Sequence, residues 1–518
     1  MARAVRALAT VAGDLKQRAE RVSGDATKVL QAQALMAEDP AIADLVRGRI
    51  EAGETGPHAV NFAFSEFRAM LAAAGPYMSE RVADLDDIRN RVVAQLLELP
   101  MPGIPQPGHP YVLVAADLAP ADTATLDPAR VLAIVTEQGG PTSHTAILAK
   151  SLGLPAVVAC AGASELADDE PVLVDGGQGL VLLRPDEGVV AEALASFERE
   201  RDALKRTTGP GHTADGVAVE LLVNIGSARD LTAAATADAE GVGLFRTEFL
   251  FLDRAEAPSQ EEQRAAYALV FEAFAGRKVV VRTLDAGADK PLPFVTMPNE
   301  PNPALGVRGL RTARRLPELL DGQLAAIASA ATGTNAHVWV MAPMVSVPAE
   351  ARDFAEQARQ HGLPVAGVMV EVPAAALRAG RLLIDCDFAS LGTNDLAQYT
   401  FAADRMAGEL ADLLDPWQPG LLELVRLTAD AGAALGKPVG VCGEAASDPV
   451  LALVLVGLGV TSLSMAPLSV PAVRAALVKQ TLEDCRRLAR AALDADDGVT
   501  ARAAVRALLP AENTGGVT

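Results

Sequence analysis

Gly367-Val368-Met369-Val370, followed at once by Glu371, sets the pattern on which the reading of this chain turns. A short apolar, β-branched-rich run ends in a charged residue, and the next segment has helical spacing. Seven further runs fit the same description: Val219 to Val223, Gly243-Leu244-Phe245, Val279-Val280-Val281, Val338-Trp339-Val340-Met341, Phe388-Ala389-Ser390-Leu391, Val439-Gly440-Val441 and Ser462-Leu463-Ser464-Met465. Eight strands alternating with helices are the count of a closed (β/α)8 TIM-type barrel, expected here over residues 213–518. A doubly wound open sheet is the alternative, but eight regular repeats favour closure.

The polar residues of this half gather just after the strands, where a barrel builds its site. Arg246 follows Gly-Leu-Phe, and Arg282 and Asp285 follow the next strand. Glu371, Asn394-Asp395 and Cys442 end three others. Singly, an Arg or Asp is a solvated surface group and a Cys a core residue. Several at equivalent places in different repeats are hard to assign to chance. Arginine forks suit phosphate and carboxylate oxygens. Glu371 and Asp395 offer hard oxygen ligands for Mg²⁺. A cysteine facing such a pocket can donate a proton to carbon.

Upstream, residues 1–100 have helical periodicity with breaks near Asp39-Pro40, Gly53 to Pro57 and Gly75-Pro76, which predicts a bundle of about four helices. A Pro/Gly-rich connector over 101–109 leads into short strands and turns. Asp175-Gly176-Gly177 lies between two β-rich runs and signals a hairpin. Residues 101–185 are expected to be a small α/β domain. Within it, Gly139-Gly140-Pro141-Thr142-Ser143-His144-Thr145-Ala146-Ile147-Leu148 follows the strand Val131 to Val135. Thr142 and Ser143 are natural helix N-caps, so His144 falls in the first turn. That end of a helix favours anions. A histidine there is suited to be a neutral nucleophile that receives a phosphoryl group. A charged linker helix and a Gly/Pro-rich hinge at Thr207 to Gly211 complete residues 186–212.

The formal net charge of −21 over 518 residues argues against a broad nucleic-acid or bilayer-surface role and is compatible with a small basic protein partner. Cys160, Cys386, Cys442 and Cys485 have neither metal-type spacing nor a disulfide framework, so the default compartment is the reducing cytoplasm. No apolar run reaches the ~18–20 residues of a membrane span.

The motif around His144 resembles the phosphohistidine motif of the phosphoenolpyruvate-utilising enzymes, and especially the Enzyme I family of the sugar phosphotransferase system. Gly243 to Leu250, Arg282-Thr283-Leu284-Asp285, Pro303 to Arg308, Met369 to Ala374, Gly392 to Thr400 and Val441-Cys442-Gly443-Glu444 resemble barrel segments of the same family. Ala34 to Pro40 resembles its helical docking subdomain for the carrier protein HPr. The resemblance implies that Arg246, Arg282 and Arg405 hold phosphoenolpyruvate, with Asn394 and the backbone at Asp395. It implies Mg²⁺ on Glu371 and Asp395, Cys442 as the acid, and Arg308 and Lys290 in the same pocket. His144 would take the phosphoryl group and pass it to HPr, releasing pyruvate, in a homodimer joined through the barrel. In the family a β-strand and a Ser-Pro-Gly turn usually precede the helices. This sequence starts within the helices, so that piece is expected to be missing. A catalytically silent regulatory relative and a phosphoenolpyruvate synthase or pyruvate phosphate dikinase relative are the rival readings.

Overall fold

In the computed structural model of the chain, Asp39 begins a helix over Pro40–Glu51 by accepting the Ala41 N–H at 2.8 Å. Pro40 occupies the first turn, where its missing donor would have had no partner anyway. The structure describes residues 2–509 apart from 22–29, 31–32, 74–81, 100–102, 106, 119–125, 128, 140–144, 147–148, 150–152, 178, 227–229, 253, 287–291, 297–299, 301 and 405–409. They form two compact units, Met1–Val190 and Ala191–Thr518.

In the first unit, helices over Ala2–Arg21, Gly56–Ala73 and Val82–Leu97 join the Pro40–Glu51 helix around one core. Leu8, Val11 and Leu15 recur at three- and four-residue steps and meet Val46, Val60, Phe64, Ile88 and Val92 there. The expected break at Gly75-Pro76 lies outside the described residues. Next come β1 (Tyr111–Ala115), β2 (Val131–Thr136) and β3 (Ala156–Val157), a three-stranded parallel sheet. The pair β4 (Val172–Asp175) and β5 (Leu180–Leu183) is the antiparallel hairpin foreseen from Asp-Gly-Gly. Its turn is set by Asp175, whose carboxylate accepts the Gly177 N–H at 2.9 Å. A helix over Glu187–Arg206 follows.

Thr207 to Gly211, sequence in which flexibility is expected, is tied to the second unit. The Thr207 carbonyl accepts from buried Arg474 at 2.9 Å, the Gly209 N–H donates to Asp238 at 2.8 Å, and the Gly211 N–H donates to Glu240 at 3.1 Å. Arg474 also donates to the Asp238 carbonyl.

The eight predicted runs become β6 (Glu220–Ile225), β7 (Gly241–Arg246), β8 (Lys278–Arg282), β9 (His337–Ala342), β10 (Ala366–Val370), β11 (Ala389–Leu391), β12 (Val439–Val441) and β13 (Ser462–Met465). They pair in parallel in chain order. β13 then returns to β6 with Ser462 opposite Glu220, which closes the barrel. Closure, not an open sheet, is therefore the answer. It leaves no edge strand and turns every strand's C-terminal end toward one mouth. The helices outside are fixed by local chemistry. Ser259 and Glu262 form a capping box at Gln260–Ala273, and Asp448 accepts from Val450 and Leu451 to start Pro449–Gly457. Among the described residues no helix is long and apolar enough to cross a membrane.

Candidate active site

At the C-terminal mouth the strand ends place one connected group of charges. Arg282, the last residue of β8, donates to Glu248 at 2.5 Å and pairs with Asp285 at 3.1 Å. Asp285 also pairs with Arg308 at 3.0 Å, and the other Arg308 nitrogen reaches Asp395 at 3.0 Å. Tyr399 accepts from Arg308 at 3.3 Å and donates to the Ala304 carbonyl. The network Glu248–Arg282–Asp285–Arg308–Asp395 thus spans residues contributed by β7, β8 and β11 and the loops after them. All five side chains are at least mostly buried. Burial works against the charge on both arginines. The carboxylates outweigh it, Glu248 and Asp285 around Arg282 and Asp285 and Asp395 around Arg308, so both stay protonated well above ordinary arginine.

Glu371 follows β10 and is fully buried. One of its oxygens accepts the Met344 N–H at 2.5 Å. Met344 has φ +58°, a left-handed conformation costly for a side-chain-bearing residue, and it directs that N–H at the carboxyl. The other oxygen, Oε2, is buried with no hydrogen-bond partner. Burial first, then the fields of Asp285 and Asp395, push the Glu371 pKa up to about 8, with Arg282 and Arg308 pulling the other way. Two guanidinium groups here face four carboxyl groups: Glu248, Asp285, Glu371 and Asp395. An orphaned, buried carboxylate oxygen amid surplus negative charge is what a hard dication fits. The oxygen-only donor set, with few protein ligands, suits Mg²⁺.

Cys442, directly after β12, is buried, and its thiol donates to the Leu391 carbonyl at 3.5 Å. Burial raises its pKa, with Glu371 adding to the shift and Ser390, Arg282 and Arg246 opposing it. At neutral pH it is a thiol with a proton to give. Arg246 ends β7 beside Arg282 in register and acts electrostatically on Cys442. Asn394, in the first turn of the Thr393–Phe401 helix, accepts the Glu444 N–H at 3.2 Å, joining the loop after β11 to the loop after β12.

Seven of the residues singled out in the barrel therefore converge on the mouth: Arg246, Arg282, Asp285, Glu371, Asn394, Asp395 and Cys442, and Arg308 joins them. His144, Lys290 and Arg405 lie outside the described residues. Sequence reasoning assigned no role to Glu248, although it sits two residues after Arg246 in a run already recognised. Buried carboxylates beside buried arginines are the signal that could have found it. No local signal marks Met344, because a left-handed Met is imposed by its surroundings.

The family model described as PEP-utilising enzyme, N-terminal, matches residues 1–81; that for the PEP-utilising enzyme mobile domain matches 107–179; and that for the PEP-utilising enzyme PEP-binding domain matches 200–482. The chain is 56% identical over 512 residues to a phosphoenolpyruvate-protein phosphotransferase of Streptomyces coelicolor, covering 98% of this chain and 92% of that one. It is 41% identical over 494 residues to a phosphoenolpyruvate-protein phosphotransferase of Haloferax volcanii, covering 92% and 86%. A multiphosphoryl transfer protein of Xanthomonas campestris is 42% identical over 457 residues, covering 85% of this chain and 54% of that protein.

Proposed function

Since the chain belongs to the phosphoenolpyruvate-utilising enzymes and is a phosphoenolpyruvate-protein phosphotransferase, we propose that phosphoryl transfer runs from the barrel mouth to His144 and from there to HPr. Arg246, Arg282 and Arg405 hold the phosphoryl oxygens, and Asn394 with the backbone at Asp395 holds the carboxylate of phosphoenolpyruvate. Glu371 and Asp395 hold Mg²⁺, which when bound offsets negative charge on the phosphoryl group. The observation that carries this reading is the buried Glu371 Oε2, which has no protein partner inside a ring of paired charges.

The chain's own steps follow from that arrangement. Neutral His144 attacks phosphorus through Nε2 while the bridging oxygen departs as the pyruvate enolate. The Cys442 thiol gives its proton to the enolate carbon, and pyruvate leaves. The phosphorylated histidine then meets HPr, docked on the helices of residues 1–100. In this reading the His144 domain swings between the barrel mouth and HPr, and the bonds that hold Thr207, Gly209 and Gly211 to Arg474, Asp238 and Glu240 support a pivot upstream of Thr207. The domain boundaries expected at about 100, 185 and 212 belong to the same reading. So do a cytoplasmic setting and a homodimer joined through the barrel. Light scattering on the eluting protein would report the dimer directly.

The central test uses phosphoenolpyruvate carrying labelled phosphorus. The intact chain with Mg²⁺ should take up acid-labile, base-stable label, and His144→Ala should take up none. Undiminished labelling of His144→Ala would remove His144 from the mechanism.

A further inference from the structure

Strands β7 and β8 end side by side, with Arg246 opposite Arg282 in register. Beyond that pair a side chain makes the next lateral bond: the Thr247 hydroxyl donates to the Arg282 carbonyl at 3.0 Å. Thr247 is fully buried, and its oxygen accepts an N–H of Gln323 at 3.0 Å. Gln323 belongs to the helix Pro317–Ala331 outside the barrel and is 1% exposed. Its Oε1 accepts the N–H of Leu284, the residue before Asp285, at 2.8 Å. One amide thus grips the loop after β7 and the loop after β8 together.

The direction of each bond is fixed. The Leu284 N–H only donates and the Arg282 carbonyl only accepts, so Gln323 turns its oxygen to Leu284 and its NH₂ group to Thr247. That NH₂ group also donates to the Tyr267 hydroxyl at 3.0 Å, and Tyr267 donates onward to Gln263 at 3.1 Å. Burial raises the Tyr267 pKa, so the phenol keeps the proton it donates. Gln263 ends the chain by donating to the Pro258 carbonyl at 3.0 Å, next to the capping box that starts Gln260–Ala273. All four side chains of the chain are buried. Buried bonds whose donors and acceptors match are stiff, because breaking one strands a polar group away from water.

We infer that Gln323 is a positioning residue for phosphoenolpyruvate: through Thr247 and Leu284 it fixes the spacing of Arg246 and Arg282, so that both guanidinium groups meet one phosphoryl group. The inference rests on the reading of those two arginines as its holders. Glu248 and Asp285 hold the Arg282 side chain. Gln323 holds the backbone from which that side chain springs, and through Thr247 the peptide that carries Arg246. Spacing matters here because an arginine fork binds phosphate through paired bonds, which weaken steeply when misdirected. Glu371 and Asp395 lie after β10 and β11 and take no part in the chain.

Initial rates on the full chain with Mg²⁺ and HPr test this. Gln323→Met keeps the length of the side chain and removes its polar atoms; Thr247→Val keeps the shape and removes the hydroxyl. Each should raise KM for phosphoenolpyruvate by about tenfold or more with kcat nearly unchanged, the mark of a contact loosened in ground and transition states alike. KM for HPr, and Mg²⁺ affinity measured without substrate, should stay at wild type. The double variant should match Gln323→Met alone, since both changes act along one path. A wild-type phosphoenolpyruvate KM in either single variant overturns the inference. So do equal losses for phosphoenolpyruvate, HPr and Mg²⁺, which would report a loosened fold, and effects that multiply in the double variant. If Gln323→Met does not fold, Thr247→Val decides alone by the same readings. Arg246→Met separates the inference from the reading beneath it. An unchanged phosphoenolpyruvate KM there removes the role given to the arginines. A raised KM there, with wild-type KM in Gln323→Met and Thr247→Val, removes only the positioning.

Discussion

Glu371 is the residue whose state depends most on its neighbours. Because its pKa is raised to about 8 from an ordinary 4.5, the folded chain holds a proton between those values that the unfolded chain has released. Stability of the metal-free chain should therefore fall as pH rises from about 5 to 8, and Glu371→Gln should flatten that slope in thermal unfolding. For the same reason Mg²⁺ binding below pH 8 should expel a proton. Calorimetric titration in two buffers of different ionisation heat measures it, and no difference between buffers would contradict the assignment of Glu371 as ligand. Arg308 shows the opposite side of the same electrostatics. Removing it leaves Asp285 and Asp395 facing each other without their shared cation. Arg308→Met should lower stability by about 3–5 kcal/mol, the usual consequence of breaking a buried pair from one side. Denaturant titration reads the loss, and addition of Mg²⁺ should recover part of it. Glu371, Asp285 and Asp395 were legible in the sequence as residues soon after strands, and Arg308 only through the family resemblance. Their protonation was not, since Asp285 and Asp395 act on Glu371 through space.

At the scale of elements, short-range chemistry decides where helices begin and where they touch. Asp448 caps Pro449–Gly457 through two N–H groups and also accepts the Trp417 indole N–H at 3.1 Å. Asp448→Ala should cost roughly 1–2 kcal/mol, as lost N-caps do. It should also change the emission of Trp417, one of only two tryptophans in the chain. Unchanged fluorescence would mean that the indole bond contributes nothing. At the other end of that helix, a Cβ on Gly457 would run into the Cys485 carbonyl of the Leu482–Leu493 helix. The capping signals and the Asp-Gly-Gly hairpin are written locally and were predictable. The intimacy of the Gly457 contact was not, because its partner lies in a different helix.

For the whole molecule, the two compact units have separate cores, one built on Val11, Phe64 and Ile88 and the other on the barrel strands. A fragment beginning at Ala191 should therefore fold, keep the anchor between Thr207 and Arg474, and bind phosphoenolpyruvate with Mg²⁺. It should release no pyruvate, because His144, the proposed acceptor, is gone. Circular dichroism together with a pyruvate assay checks both halves of that expectation. Pyruvate release by the fragment at the rate of the full chain would show that the barrel turns over without His144.

The repeat of strand and helix, the residue type near each strand end and the His144 motif are all readable from the chain alone, since each is a matter of neighbours along it. The tertiary structure decided closure over an open sheet, the pairing of Arg282 with Glu248, the left-handed Met344 and the orphaned oxygen of Glu371. These depend on groups tens to hundreds of residues apart being brought within a few ångströms. Out of water, burial and charge add over every neighbour at once, and no stretch of sequence contains that sum.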